Sequence, residues 1–346
     1  MDIAVDTFLT TVYCVVDDLY QAHYASQKPV RRGTAPAMSD SEVLTVVIVA
    51  QWQHDRSEAA FVRYAQAHWR GYFPRLLSQS AFNRRARDLL GVLCHLGPQV
   101  GQRVATLLAA PPAYGVLDTV PVPLMRCCRG VRHHLFAAEA AVGRGGSDKQ
   151  WYYGLRLLTV VEADGVISGF VLGPATTEER WLAEALLRWR HDPAAPPPTA
   201  EDLAPALGPT HKAGGTRRGP TGPLGPRGAV GEARPDLYLG DLGFAGAAWQ
   251  AHWRADYGAC VLTKADYAAV PAAQQAQAAQ WLSSLRQVIE TANAVLTDLL
   301  GLTFPRARTY WGLLTRVAAK IAAFNMLLYL NHCYDRPTFA YATPLA

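Results

Sequence analysis

WYYGLRLLTVVEADGVISGFVLGPATTEE, residues 151–179, carries the reading of the fold. Two apolar, β-branched runs, 152–162 and 166–172, flank Asp164 and Gly165. Asp-Gly between such runs is a hairpin signal, because the tight turn needs a positive φ that glycine adopts without steric penalty. The spacing predicts two antiparallel strands and then a helix from about 178 to 190.

Working outward, Pro111 and Pro112 close a helical region, and AYGVLD (113–118) reads as a short buried strand. On the other side, DLYLGD (236–241) and GACVLT (258–263) read as strands around a helix at about 245–255. Helices at 281–300 and 310–331 complete the chain. The order β, ββ, α, β, α, β, α implies an α/β fold with a mixed sheet flanked by helices. Between these elements, residues 192–235 are dense in Pro, Gly and Ala. Such a segment is a poor core former and reads as a flexible insertion.

Residues 1–110 read as all-helical. Ser39 and Glu42 have capping-box spacing ahead of VLTVVIVAQWQ (43–53), which reads as a buried helix. A second helix is expected over 80–94, with Phe82, Ala86, Leu89, Leu90 and Leu93 on one face and Arg84, Arg85 and Arg87 mostly on the other. That basic face reads either as a groove-entering surface or as an ordinary solvated one. The divisions are therefore 1–110, 111–305 and a C-terminal helical segment, 306–346.

Half of the 346 residues are hydrophobic and 18% are charged, enough apolar material for a large core and too little charge for a disordered chain. A formal net charge of +5 is compatible with a polyanionic partner. The six cysteines form no CxxC pair and no disulfide framework, so a reducing cytoplasm is expected. The start of the chain has no basic n-region, and the best apolar run, 43–50, is too short to span a bilayer. No membrane association is expected.

Three acids stand out. Asp118 and Asp241 each close an apolar run, and functional residues of open α/β sheets collect beyond the carboxyl ends of strands. Desolvating an unpaired carboxylate is costly, and a divalent cation is a partner that would offset it. Glu290 lies in the 281–300 helix, on a polar stripe with Arg286, Asn293 and Thr297, while Trp281, Leu285, Val288, Ala292, Val295 and Leu299 are the expected buried stripe. Each acid alone reads first as a solvated surface residue or an N-cap, and an exposed helix face would give the same stripe; the constellation carries the reading. Hard oxygen ligands suit Mg2+ or Mn2+, and two such ions can serve an in-line phosphoryl displacement. Cys127, Cys128, His133 and His134 lack a zinc spacing, and neither a GxSxG elbow nor a Walker A loop occurs.

At these residues the sequence resembles the bacterial insertion-sequence transposases of the DDE type. The likeness runs through VYCVVDDLY (12–20), SDSEVLTVVIVAQ (39–51), VLDTVPVPL (116–124), the hairpin block, YLGDLGF (238–244), LRQVIETANAVL (285–296) and RVAAKIAAFNMLLYLN (316–331). It departs at Leu242 and Phe244, and at Ser283 and Thr297. The resemblance implies a ribonuclease H-like catalytic domain and a catalytic, metal-binding set of Asp118, Asp241 and Glu290 holding two Mg2+ (or Mn2+) ions. It implies cleavage and strand transfer on double-stranded DNA by a homodimer at the nucleoid. Arg286 takes the family's accompanying arginine place. Phosphate contacts are expected from Arg84, Arg85 and Arg87, from Arg126, Arg129 and Arg132 just after the first strand, and from Arg286. Two alternatives remain: a metal-dependent nuclease that cuts without joining, and a transposase-derived DNA-binding protein without catalysis.

Overall fold

The computed structural model describes residues 4–27, 35–53, 57–109, 113–133, 135–145, 150–191, 236–269 and 271–340. The expected insertion at 192–235 lies outside them. Five helices open the chain: α1 (Val5–His23), α2 (Asp40–Val49), α3 (Glu58–His68), α4 (Gln79–Asp88) and α5 (Leu90–Leu108). In α1, Phe8, Leu9, Val12, Val15, Val16, Leu19 and Tyr20 recur at three-four spacing and are buried. The capping box of α2 forms as expected: Glu42 N–H donates to Ser39 Oγ at 3.1 Å, and Ser39 N–H to Glu42 Oε2 at 2.6 Å. Val43 to Val49 are buried on every side, which is how a β-branched run stays helical against its propensity. The helix expected over 80–94 is instead two helices, α4 and α5, broken at Leu89. Its five apolar positions are nonetheless all buried.

The sheet has six strands: β1 (Gly115–Arg126), β2 (Ala141–Gly145), β3 (Gln150–Glu162), β4 (Ile167–Pro174), β5 (Leu237–Leu239) and β6 (Cys260–Leu262). The hairpin β3–β4 turns at Asp164–Gly165 as predicted; Gly165 has φ 91°, and Val166 N–H donates to Asp164 Oδ1. One edge of β3 is shared by β2 and β4, and the other pairs antiparallel with β1 along its length. Beyond β1 come β5 and β6, both parallel to it. The sheet is thus mixed and flanked by helices, namely α7 (Glu179–His191) against β3 and β4, and α9 (Ala272–Ala294) against β1 and β3. The remaining helices are α6 (Cys127–His133), α8 (Ala247–Tyr257) and α10 (Tyr310–Cys333).

Beyond the split into α4 and α5, three elements differ from expectation: β1, β2 and α6. β1 runs on to Arg126, because Pro121 and Pro123 do not end it: past Val116 its edge opposite β3 has no partner strand among the described residues, so a proline can sit there without breaking a ladder. The small-residue strand β2 and helix α6 carry too weak a pattern to be read. α10 forms where a helix over 310–331 was expected; it is long and apolar enough to cross a membrane, with mean hydropathy 1.4, and 89% of that stretch is buried within the fold.

α10 packs along α5 and also meets α2 and β4. Asn325 is fully buried at this junction: its amide donates to Gly97 O at 2.8 Å and Ile167 O at 2.9 Å, and its Oδ1 accepts from Ile167 N–H at 3.0 Å. One hydrophobic cluster includes Phe8, Leu158 and Leu328, so the three expected segments share a core.

Candidate active site

The site is built where β1 and β5 run side by side. Gly115 pairs with Tyr238 and Val116 with Leu239. Asp118 and Asp241 each lie two residues further on, so the parallel register brings them level. Asp118 is therefore not at a strand terminus, as expected, but at the fourth position of β1, just beyond its paired stretch. Asp241 follows β5 and caps a 3-10 turn, accepting from Gly243 N–H at 2.8 Å.

Both oxygens of Asp118 are held. Oδ1 accepts from Thr119 N–H at 2.8 Å, and Oδ2 from Asn293 Nδ2 on α9 at 3.0 Å. Burial pushes its carboxyl up to about 6; the charges of Asp241 and Glu179 push the same way, while the Thr119 N–H and Arg286 oppose them. Asn293 is itself buried, and its Oδ1 has no hydrogen-bond partner among the described residues.

α9 presents this site through a stripe different from the expected one. The buried positions are Leu282, Ile289, Ala292, Asn293, Val295 and Leu296; Trp281 is exposed. The inward face is turned from the expected one by roughly half of the 100° that separates successive helix residues, and Ala292 and Val295 belong to both stripes. That turn is why Asn293 and the half-buried Arg286 reach the sheet. Glu290 lies at the solvent edge of the same face, exposed, with no hydrogen bond or ion pair to a described residue. α9 continues as a π-helical turn, Val295–Leu299, which begins two residues on from Asn293.

A third carboxylate was not anticipated. Glu179, at the start of α7, accepts from Thr119 Oγ1 at 2.6 Å and meets Arg156 Nη1 at 3.5 Å. A Cβ built on Gly243 would lie 1.6 Å from Glu179 Oε2 and 3.0 Å from Asp241 Oδ1. Gly243 is thus the residue that lets the second acid block close against Glu179. The only sequence signal was the acidic pair that ends the hairpin block, which also reads as ordinary first-turn acids.

Among the described residues, no group of three or more His, Cys, Asp or Glu side chains is arranged to hold a metal ion. Among the described residues the expected trio does not form such a group: Asp118 and Asp241 are neighbours, and Glu290 stands exposed on α9. Two carboxylates still fit a hard divalent cation, since Mg2+ is usually held by one or two carboxylates together with phosphate oxygens and water. The unpartnered Asn293 Oδ1 beside Asp118 is a further oxygen of the same kind.

The expected DNA-contacting arginines scatter. Arg84 is exposed on α4, whereas Arg85 forms a largely buried ion pair with Asp40 and ties α4 to α2. Arg87 donates to Asn83. Arg126 ends β1, eight residues past Asp118, which is roughly 26 Å along an extended strand. It is exposed, like Arg129, but neither is adjacent to Asp118; Arg132 lies with Arg129 in α6. Comparison with family models, with curated proteins and with solved structures finds no match for this chain.

Proposed function

We propose that this protein is a DNA transposase of the DDE type, with a ribonuclease H-like catalytic core and metal-dependent phosphoryl transfer on duplex DNA at Asp118 and Asp241. The observation that carries this reading is the level placement of the two aspartates beyond adjacent parallel strands, with Asn293 fixing one of them from α9. The antiparallel hairpin on one side of β1 and the parallel strands on the other support the ribonuclease H-like assignment. The seven sequence blocks quoted above supply the rest of the argument.

Asp118 and Asp241 would hold the divalent ions, with Glu290 completing the set from the solvent edge. The metal would activate the attacking oxygen and stabilise the leaving one in an in-line displacement. The chain's own groups prepare that site. Asn293 and the Thr119 N–H orient Asp118, Arg286 offsets part of the negative charge, and Thr119 with Arg156 holds Glu179 behind Gly243. A water and then a freed 3′-hydroxyl would be the successive nucleophiles.

The test is Mg2+-dependent cleavage of the element's own end sequence, and joining of a precut end to target DNA. Asp118→Ala and Asp241→Ala should abolish both while duplex binding persists. Cleavage without joining by the unmodified protein would favour a nuclease. The exposure of Glu290 favours a second reading, a transposase-derived DNA-binding protein; an inactive native chain that binds duplex DNA equally well after Asp118→Ala would support it.

A further inference from the structure

Away from the aspartates, a cleft of about 870 Å3 opens between the N-terminal helices and the segment that links α9 to α10. Its lining is strongly cationic: Arg87, Arg306, Arg308, Arg316 and Lys320 face one acid, Glu58. Glu58 is already engaged. It pairs with Arg316 at 2.9 Å and accepts from Gln79 and Asn83. Lys320 is buried and donates to Gln51 and to Leu300 O. The charges of Arg87, Arg306 and Arg308 are left without an acidic partner among the described residues, and Arg306 and Arg308 are exposed.

The backbone at the mouth is unusual. Phe304 and Arg306 have φ of 54° and 55°. For residues with side chains the left-handed region costs roughly 1–2 kcal/mol each, and such strain collects at functional sites. The conformation is held from both ends: Phe304 N–H donates to Pro123 O at 3.0 Å, and Pro305 O accepts from Arg316. Its consequence is a phenyl ring 46% exposed, set two residues from one guanidinium and four from another.

Three unneutralised guanidiniums and an exposed aromatic ring at one cleft are the elements of a nucleic-acid strand platform: cations track phosphates and a ring stacks a base. The size selects the form. A volume of about 870 Å3 is that of a cube roughly 10 Å on a side, which takes an extended strand of a few nucleotides but not a duplex, whose major groove alone is about 12 Å wide. We propose that the cleft binds a single nucleic-acid strand, with phosphates on Arg87, Arg306 and Arg308 and a base stacked on Phe304. This goes beyond the reaction proposed above and uses neither Asp118 nor Asp241, so it stands or falls separately.

The test is binding of a fluorescent oligothymidylate to the full chain, by anisotropy, in EDTA and across a salt series. EDTA removes any metal-dependent reaction from the result. The unmodified chain should bind with a steep salt dependence. Arg306→Gln with Arg308→Gln should weaken binding and flatten the log–log salt slope by about 1.4, since each lost phosphate contact on a single strand removes about 0.7. Phe304→Ala should weaken binding roughly 5- to 150-fold with the slope unchanged, and Phe304→Tyr, which keeps a ring, should restore it; if Phe304→Ala fails to fold, Phe304→Leu takes its place. Arg254→Gln, an exposed cation on α8, should change neither quantity. The proposal is overturned if neither ring-removing variant weakens binding, if the double arginine variant leaves the slope intact, or if Arg254→Gln lowers the slope equally. It is also overturned if duplex DNA binds more tightly with the same dependence on Phe304, or if inorganic phosphate displaces the strand at equal concentration.

Discussion

Asp118→Asn should stabilise the metal-free protein while abolishing the cleavage proposed for it. Burial, with the charges of Asp241 and Glu179, holds the Asp118 carboxyl at about 6 against an ordinary value of 3.8. At 1.36 kcal/mol per pH unit, that span corresponds to roughly 3 kcal/mol. The folded chain binds the proton more tightly, so between about 4 and 6 it carries more protons than the unfolded chain. Stability contributed by this group is therefore complete below pH 4, falls as pH rises, and is lost above pH 6. An amide at this position has no charge to desolvate. It keeps an oxygen for the Thr119 N–H, and its NH2 can be met by Asn293 once that amide turns over, which gives the unpartnered Asn293 Oδ1 a donor. Urea unfolding in EDTA should show the variant more stable by about 2–3 kcal/mol at pH 8, with the gain shrinking towards zero near pH 4. Added Mg2+ should stabilise the unmodified chain and leave the variant unmoved. A variant no more stable than the parent at pH 8, or a gain independent of pH, would refute the electrostatic account of this site.

Three further outcomes follow from particular contacts. Gly243→Ala places a methyl on the Glu179 carboxylate, which Thr119 and Arg156 hold in place; cleavage should fall on the order of 100-fold, as for an ångström-scale misplacement, with little change in the urea midpoint. Asn325→Leu strips partners from the Ile167 N–H and two carbonyls at the α5–α10–β4 junction and should cost about 3 kcal/mol or more in urea unfolding. Lys320, lowered from 10.5 to about 7 by burial and then by Arg316, sheds its proton earlier in the folded state, so stability should rise with pH between 7 and 10.5. Lys320→Met should remove that rise, measured as the difference in unfolding free energy between variant and parent across the window. An unchanged difference would mean that the ammonium is solvated.

Local signals carried much of the fold. The Asp164–Gly165 turn, the Ser39–Glu42 cap and the buried face of Phe82, Ala86, Leu89, Leu90 and Leu93 all appear where the sequence puts them, because each is set by neighbours within a few residues. What escaped was set by distant partners. β1 continues through Pro121 and Pro123 only because its far edge has no partner strand there among the described residues. α10 was expected and forms, but its partners were not legible, since α5, α2 and β4 cover it on several sides at once and leave little pattern.

The same distinction explains the site. Asp118 and Asp241 were legible because an acid after an apolar strand is conspicuous in one dimension. Their level alignment was not, since it depends on a two-pair parallel register between strands more than a hundred residues apart. Glu179 was invisible for the same reason: its role is defined by a hydroxyl on β1 and a glycine after β5. The helix stripe adds a subtler lesson. A three-four pattern in the 281–300 helix admits neighbouring phases, and the apolar residues alone favoured the one with Trp281 inside. The phase adopted buries Asn293 and half-buries Arg286, polar groups that a purely apolar count rejects. Asn293 is tolerated in that position because Asp118 accepts its hydrogen bond. The helix phase and the carboxylate site therefore specify each other, and a substitution such as Asn293→Leu should disturb both together.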